Sequence, residues 1–123
     1  MSYRFYNANA KGKFVNDCVI RAVSTAESKR WNETYQELSK LAEEQGILLD
    51  DVNFVEPLLD SRYERTCHKN KTVGDFAEEH DSGTYLITMA GHITCVIDGT
   101  VYDTFDCRER RMWCAWKVKE TTL

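Results

Sequence analysis

The spacing of apolar residues changes partway along the chain and divides it into a helical part and a stranded part. Val19, Ile20 and Val23 form a helical stripe within "CVIRAVSTAES", with Asn16 or Asp17 placed to cap its start. Tyr35, Leu38, Leu41 and Ala42 form a second stripe, for which Asn32 is the capping candidate and Gly46 the stop. The next stretch, "ILLDDVNFVEPLLDSRYERTCHKNK", is less regular. In it Val52, Val55, Leu58 and Leu59 predict a short helix that Pro57 opens or kinks, followed by a polar loop. Thr72 then caps a short helix, "VGDFAEEH", which "DSG" ends. From Thr84 onward the runs "TYLITM", "HITCVI", "TVYDTF" and "WCAWKV" read as strands, with Asp98-Gly99 as a two-residue turn between the second and third. Helices first and strands last predict an α+β fold, N-terminal helices packed against a C-terminal antiparallel β-sheet. The 123 residues suit a single domain spanning 1–123.

The turn fixes a register. With Asp98-Gly99 at the tip, Ile97 opposes Thr100, Val96 opposes Val101, Cys95 opposes Tyr102, Thr94 opposes Asp103 and His92 opposes Phe105. Side chains alternate faces, so His92, Thr94, Val96, Val101, Asp103 and Phe105 share one side of the hairpin, and Asp103 is the diagonal neighbour of His92. A carboxylate bonded to one imidazole nitrogen fixes the ring's tautomer and leaves the other nitrogen to exchange a proton with a nucleophile. Phe105 is placed to cover the pair. Asp106 falls on the opposite face and becomes the orienting acid only if the turn is longer than two residues.

Among the five cysteines, Cys18 is the nucleophile candidate, because the first turn of a helix offers unpaired N–H groups and a positive dipole end that favour a thiolate. Asp17 opposes this with an adjacent negative charge, which Arg21 can pair across one helical turn. Cys67, Cys95, Cys107 and Cys114 read as structural thiols, Cys95 on the hairpin face away from His92. An odd count without a CxxC pair predicts no disulfide framework. A zinc site drawn from Cys67, His68, Cys107 and Cys114 lacks paired short spacings, so neither a metal nor a cofactor is expected. His68 and His80 are expected at the surface, and Trp31, Trp113 and Trp116 as core or interface anchors.

Composition narrows the function classes. A formal net charge of -4 argues against a nucleic-acid reader, and the local basic run "CRERRMWCAWKVK" reads as a solvated strand edge. No apolar run approaches the roughly 18–20 residues of a membrane helix, and "MSYRFYNANAKGKF" lacks a secretory signal core, so a cytoplasmic protein that binds neither membrane nor nucleic acid is expected.

The order of a Cys opening an N-terminal helix, a His opening a late strand and an acid on the next strand resembles the papain-like cysteine peptidases. "DTF", residues 103–105, resembles the Asn-Ser-Trp segment of that superfamily. "NDC" resembles the start of the bacteriocin-processing branch, and "GTYLITMAGHITCVIDGTVYDTF" resembles small papain-fold proteins of bacteria and their phages. The resemblance implies a thiol hydrolase of peptidase or isopeptidase type acting on a peptide or protein, with Cys18 as nucleophile, His92 as general base and acid, and Asp103 as orienting residue. The same order serves acyltransferases such as transglutaminases and arylamine acetyltransferases. One departure stands out: where the superfamily carries an oxyanion-hole glutamine before its cysteine, this chain has Gly12. Asn16, or failing that Asn9, is the expected substitute, and loss of such a donor slows comparable enzymes roughly 100–1000-fold. A catalytically idle binding module is the alternative that Gly12 motivates.

Overall fold

The structure, a computed structural model, describes residues 2–120. Within them the chain forms β1 (Ser2–Phe5), α1 (Cys18–Glu27), α2 (Trp31–Gln45), α3 (Val52–Arg62), β2 (Arg65–Cys67), α4 (Val73–Glu79), β3 (Thr84–Met89), β4 (His92–Ile97), β5 (Thr100–Asp103) and β6 (Met112–Lys119). The mixture of helices and one sheet is the expected α+β class. The sheet, however, is mixed rather than antiparallel: its order is β1-β5-β4-β3-β6-β2, and β1 lies parallel to β5. Sequence reading missed both outer strands. β1 has four residues and β2 three, too short for an alternating pattern to register.

Both faces of the sheet are covered. α1, α2 and α3 pack Val19, Val23, Leu38, Phe54 and Leu59 against Leu86, Ile93, Cys95 and Trp116. On the other side α4 packs Val73, Phe76 and Ala77 against Ile87, Met89, Val96, Val101 and Met112. This explains why β3 is buried at every position and reads as a continuous run, as strands covered on both faces do.

The hairpin forms in the expected register, Ile97 opposite Thr100, Val96 opposite Val101 and Cys95 opposite Tyr102. Asp98 and Gly99 both take positive φ, 49° and 77°, the geometry of a type I′ turn. β5 ends at Asp103 rather than Phe105.

Several local expectations need correction. Arg30, not Asn32, precedes α2, and the Glu33 carboxylate accepts from its backbone N–H at 3.4 Å. α3 continues through Pro57 and is capped by Asp51, which accepts from the Asn53 N–H at 2.8 Å. His68 and His80 are half-buried rather than exposed, because Phe76 takes both rings against it, His80 stacked at 3.8 Å. Cys67 and Cys114 face each other across β2 and β6 and form a disulfide, against the expectation of free thiols throughout; Cys18, Cys95 and Cys107 remain reduced. The odd count concealed the pair, since its spacing is set by the unforeseen strand β2. Among the described residues no helix is long and apolar enough to cross a membrane.

Candidate functional site

The site forms at the start of β4, where the first turn of α1 meets the last residues of the hairpin. Cys18 opens α1, and Asp17 occupies the N-cap position without capping. The Asp17 carboxylate instead accepts from Arg21 Nε at 2.7 Å, Trp31 Nε1 at 2.9 Å and Asn9 Nδ2 at 3.1 Å. No capping carboxylate therefore competes for the N–H groups around the Cys18 thiol, and the negative charge beside it is neutralised by Arg21, as the spacing of the two residues suggested.

Asp103 is 2% exposed at the end of β5. Its Oδ2 accepts from His92 Nε2 at 2.7 Å; its Oδ1 accepts from the Thr104 N–H at 2.7 Å and from Arg21 Nη1 at 3.0 Å. The expected diagonal pairing is thus present. With Nε2 engaged by the carboxylate, Nδ1 is the nitrogen left to exchange a proton with Cys18, whose charge acts on the ring. Phe105 lies against the His92 ring with centroids 4.8 Å apart, and the Arg110 guanidinium lies 5.1 Å over Phe105. Phe105 thus covers part of the His92 ring, and the low exposure of the His92–Asp103 pair strengthens their bond by keeping water out.

The electrostatics favour separated charges. Burial opposes the imidazolium, yet the Asp103 carboxylate and the Cys18 thiolate overcome it and push the His92 pKa up to about 9. Burial likewise opposes the Cys18 thiolate, but the hydrogen bond and charge from His92, the Ile93 N–H and the Arg21 charge hold its pKa below the ordinary thiol value. Burial opposes the Asp103 charge, but His92, Thr94 and the Thr104 N–H together hold its pKa below the usual carboxylate value. The directions at Cys18 and His92 both favour a thiolate facing an imidazolium over the neutral pair. The other reduced thiols differ: burial pushes Cys95 up strongly and Cys107 up to about 11.

Cys18 and His92 open onto a cleft of about 380 Å³, walled by Val19, Val55, Met89, Ile93 and Trp113. Val52, Val55 and Glu56 of α3 also line it, and after α3 the chain continues into β2. Asn16 is exposed and lines this cleft beside Cys18, whereas Asn9 is buried and committed to Asp17 and to the Lys11 N–H at 2.9 Å. Asn9 is thereby removed as an oxyanion-hole donor. Gly12 lies in an exposed turn with φ of 65°.

Other candidates fall elsewhere. Asp106 is exposed and paired to Arg108 at 2.7 Å, so it is not the orienting acid. The zinc reading is dismantled by the Cys67–Cys114 disulfide. His92, Asp103 and Cys107 bring ligand-type atoms within 4.8 Å of one another, but the His92 and Asp103 atoms already bond each other.

Three contacts of residues already singled out were not foreseen from the sequence. Arg21 reaches Asp103 as well as Asp17, Trp31 donates to Asp17, and Trp113, 40% exposed, walls the cleft instead of filling a core. A cation at a fixed spacing from Asp17 was the available signal for Arg21, but its second carboxylate lies 82 residues away. No protein-family model, no curated protein and no solved structure matches the chain.

Proposed function

We propose that the protein is a small papain-like thiol hydrolase, of cysteine peptidase or isopeptidase type, that uses Cys18, His92 and Asp103. The observation that carries this reading is an imidazole bonded through Nε2 to a buried carboxylate at 2.7 Å and lining one cleft together with a thiol that opens a helix.

The chemistry follows from the resting charges. The Cys18 thiolate attacks a carbonyl carbon, forming the S–C bond as the C=O electrons move to oxygen. The oxyanion is received by the Cys18 N–H and the Asn16 amide, a weaker arrangement than one with a buried donor. Collapse breaks the carbon–nitrogen bond, and the His92 imidazolium gives its Nδ1 proton to the departing amine. His92, now neutral, takes a proton from water, whose hydroxide displaces the thiolate from the acyl-enzyme. Through both steps Asp103 keeps the ring oriented and its charged form favoured.

An activated acyl donor tests the reading. A peptide α-thioester mixed with the protein and quenched in acid should leave an acyl adduct on Cys18, detected by intact mass and peptide mapping. The adduct should be absent in Cys18→Ala and slow to form in His92→Ala. If the wild-type protein acquires no adduct from so reactive a donor, an idle binding module becomes the better description.

A further inference from the structure

The cleft beside Cys18 does not end at its own walls. A second groove, formed by Ile20, Ala42, Glu43, Ile47, Leu48 and Leu49 between α1 and the end of α2, shares Asn16 and Asp50 with it. The two depressions therefore lie on either side of an Asn16–Asp50 saddle. Each is lined largely by apolar side chains, and Leu48 stands 73% exposed at the second. Apart from His92, the charged groups on this path are acidic: Glu56 in the first depression, Asp50 on the saddle and Glu43 in the second. Arg65 offsets Glu56 at 3.3 Å, on an already acidic protein of net charge -4.

We infer that this continuous path receives an extended polypeptide segment that combines apolar and basic side chains, with apolar residues beside Cys18 and on Leu48 and a lysine or arginine paired with the acidic groups along the path. An extended segment is long enough to cover two adjoining depressions, placing apolar side chains in them and basic groups within reach of the carboxylates between and beyond. A compact small molecule has no use for the second groove. An acidic segment would meet Glu43, Asp50 and Glu56 with like charge, which disfavours encounter and register. This inference rests on the hydrolase reading for its chemistry, but not for the occupancy of the groove.

The test uses the full-length Cys18→Ala protein, which binds without turnover, and fluorophore-labelled peptides of sequence Gly-Leu-Lys-Leu-Gly, Gly-Leu-Glu-Leu-Gly and Gly-Ser-Lys-Ser-Gly. Fluorescence anisotropy at low ionic strength should show the first binding about tenfold tighter than either other peptide. Leu48→Ser and Asp50→Asn, both at exposed positions, should each remove a threefold or greater part of that preference. Equal affinities, or no binding by the first peptide, would overturn the inference. In parallel, thioester acylation of wild-type Cys18 reports the chemistry separately. Acylation without the basic–apolar preference leaves the hydrolase and sinks the groove; preference without acylation leaves a peptide-binding groove and sinks the hydrolase.

Discussion

Replacing Arg21 with methionine keeps much of the side chain's bulk and removes the cation that joins Asp17 to Asp103. Arg21 is 12% exposed, and its carboxylate partners are 5% and 2% exposed, so the substitution strands two negative charges away from water. Breaking a buried ion pair by deleting one partner costs about 3–5 kcal/mol. Here Asp17 retains Trp31 and Asn9, and Asp103 retains His92 and the Thr104 N–H, which places the expected loss near the lower end, about 3 kcal/mol. With a urea dependence of roughly 1.5 kcal/mol per molar for a domain of this size, the unfolding midpoint should fall by about 2 M. Adding Asp17→Asn to Arg21→Met should restore about 1 kcal/mol, because it neutralises the carboxylate left without its cation. Arg21→Lys should fall between, since an ammonium does not present the separate Nε and Nη1 donors that reach the two carboxylates. A second readout separates positioning of the site from bulk stability. The Arg21 charge helps to hold the Cys18 pKa down, so thiol alkylation in the folded Arg21→Met protein should shift to higher pH. A change in stability under about 0.5 kcal/mol, as for an ordinary surface residue, together with an unmoved alkylation profile, would refute the reasoning.

Other outcomes follow from the same geometry. Asp103→Asn keeps the size of the orienting group but removes its charge, so thioester turnover should drop roughly 10²–10⁴-fold and the alkaline limb should move down from about 9, whereas Asp106→Asn should change neither; the pH–rate profiles decide. The Cys67–Cys114 bond closes a separation of 47 residues, so its removal in Cys67→Ala/Cys114→Ala should cost up to about 4 kcal/mol in urea unfolding, and a thiol count on denatured, unreduced protein should find three. The pH dependence of stability carries a sign that isolates the pair. His92, raised from 6.5 to about 9, contributes fully below 6.5 and loses that contribution as pH rises through about 9; Cys18, lowered from 9.0, contributes above 9.0 and loses that contribution as pH falls. Between 6.5 and about 9 these opposite slopes offset in the wild-type protein, while Cys18→Ala, whose His92 keeps Asp103, should lose stability as pH rises. Equal slopes in the two proteins would contradict the ion pair.

Residues close in sequence, or joined by a turn of fixed geometry, carried most of what was legible beforehand. The Asp98-Gly99 turn sets the hairpin register, and period-two alternation then puts His92 and Asp103 on one face without any knowledge of the rest of the fold. The helix-start position of Cys18 and its spacing from Arg21 are equally local. What escaped depends on contacts between distant segments. β1 gains its identity only by pairing with β5, from Ser2 opposite Thr100 to Phe5 opposite Asp103, and β2 by pairing with β6, which also creates the disulfide. The capping role expected of Asp17 failed for the same reason: its carboxylate is drawn to Trp31 and Asn9, neither of which helical periodicity relates to α1.

The central claim, that Cys18 rests as a thiolate against the His92 imidazolium, is most directly tested by the pH dependence of iodoacetamide labelling at Cys18, resolved from Cys95 and Cys107 by peptide mass. In the wild-type protein the rate should reach its plateau well below the ordinary thiol pKa of about 8.5 and in His92→Ala the profile should move to or above that value. Superimposable profiles centred on the ordinary thiol pKa would contradict it.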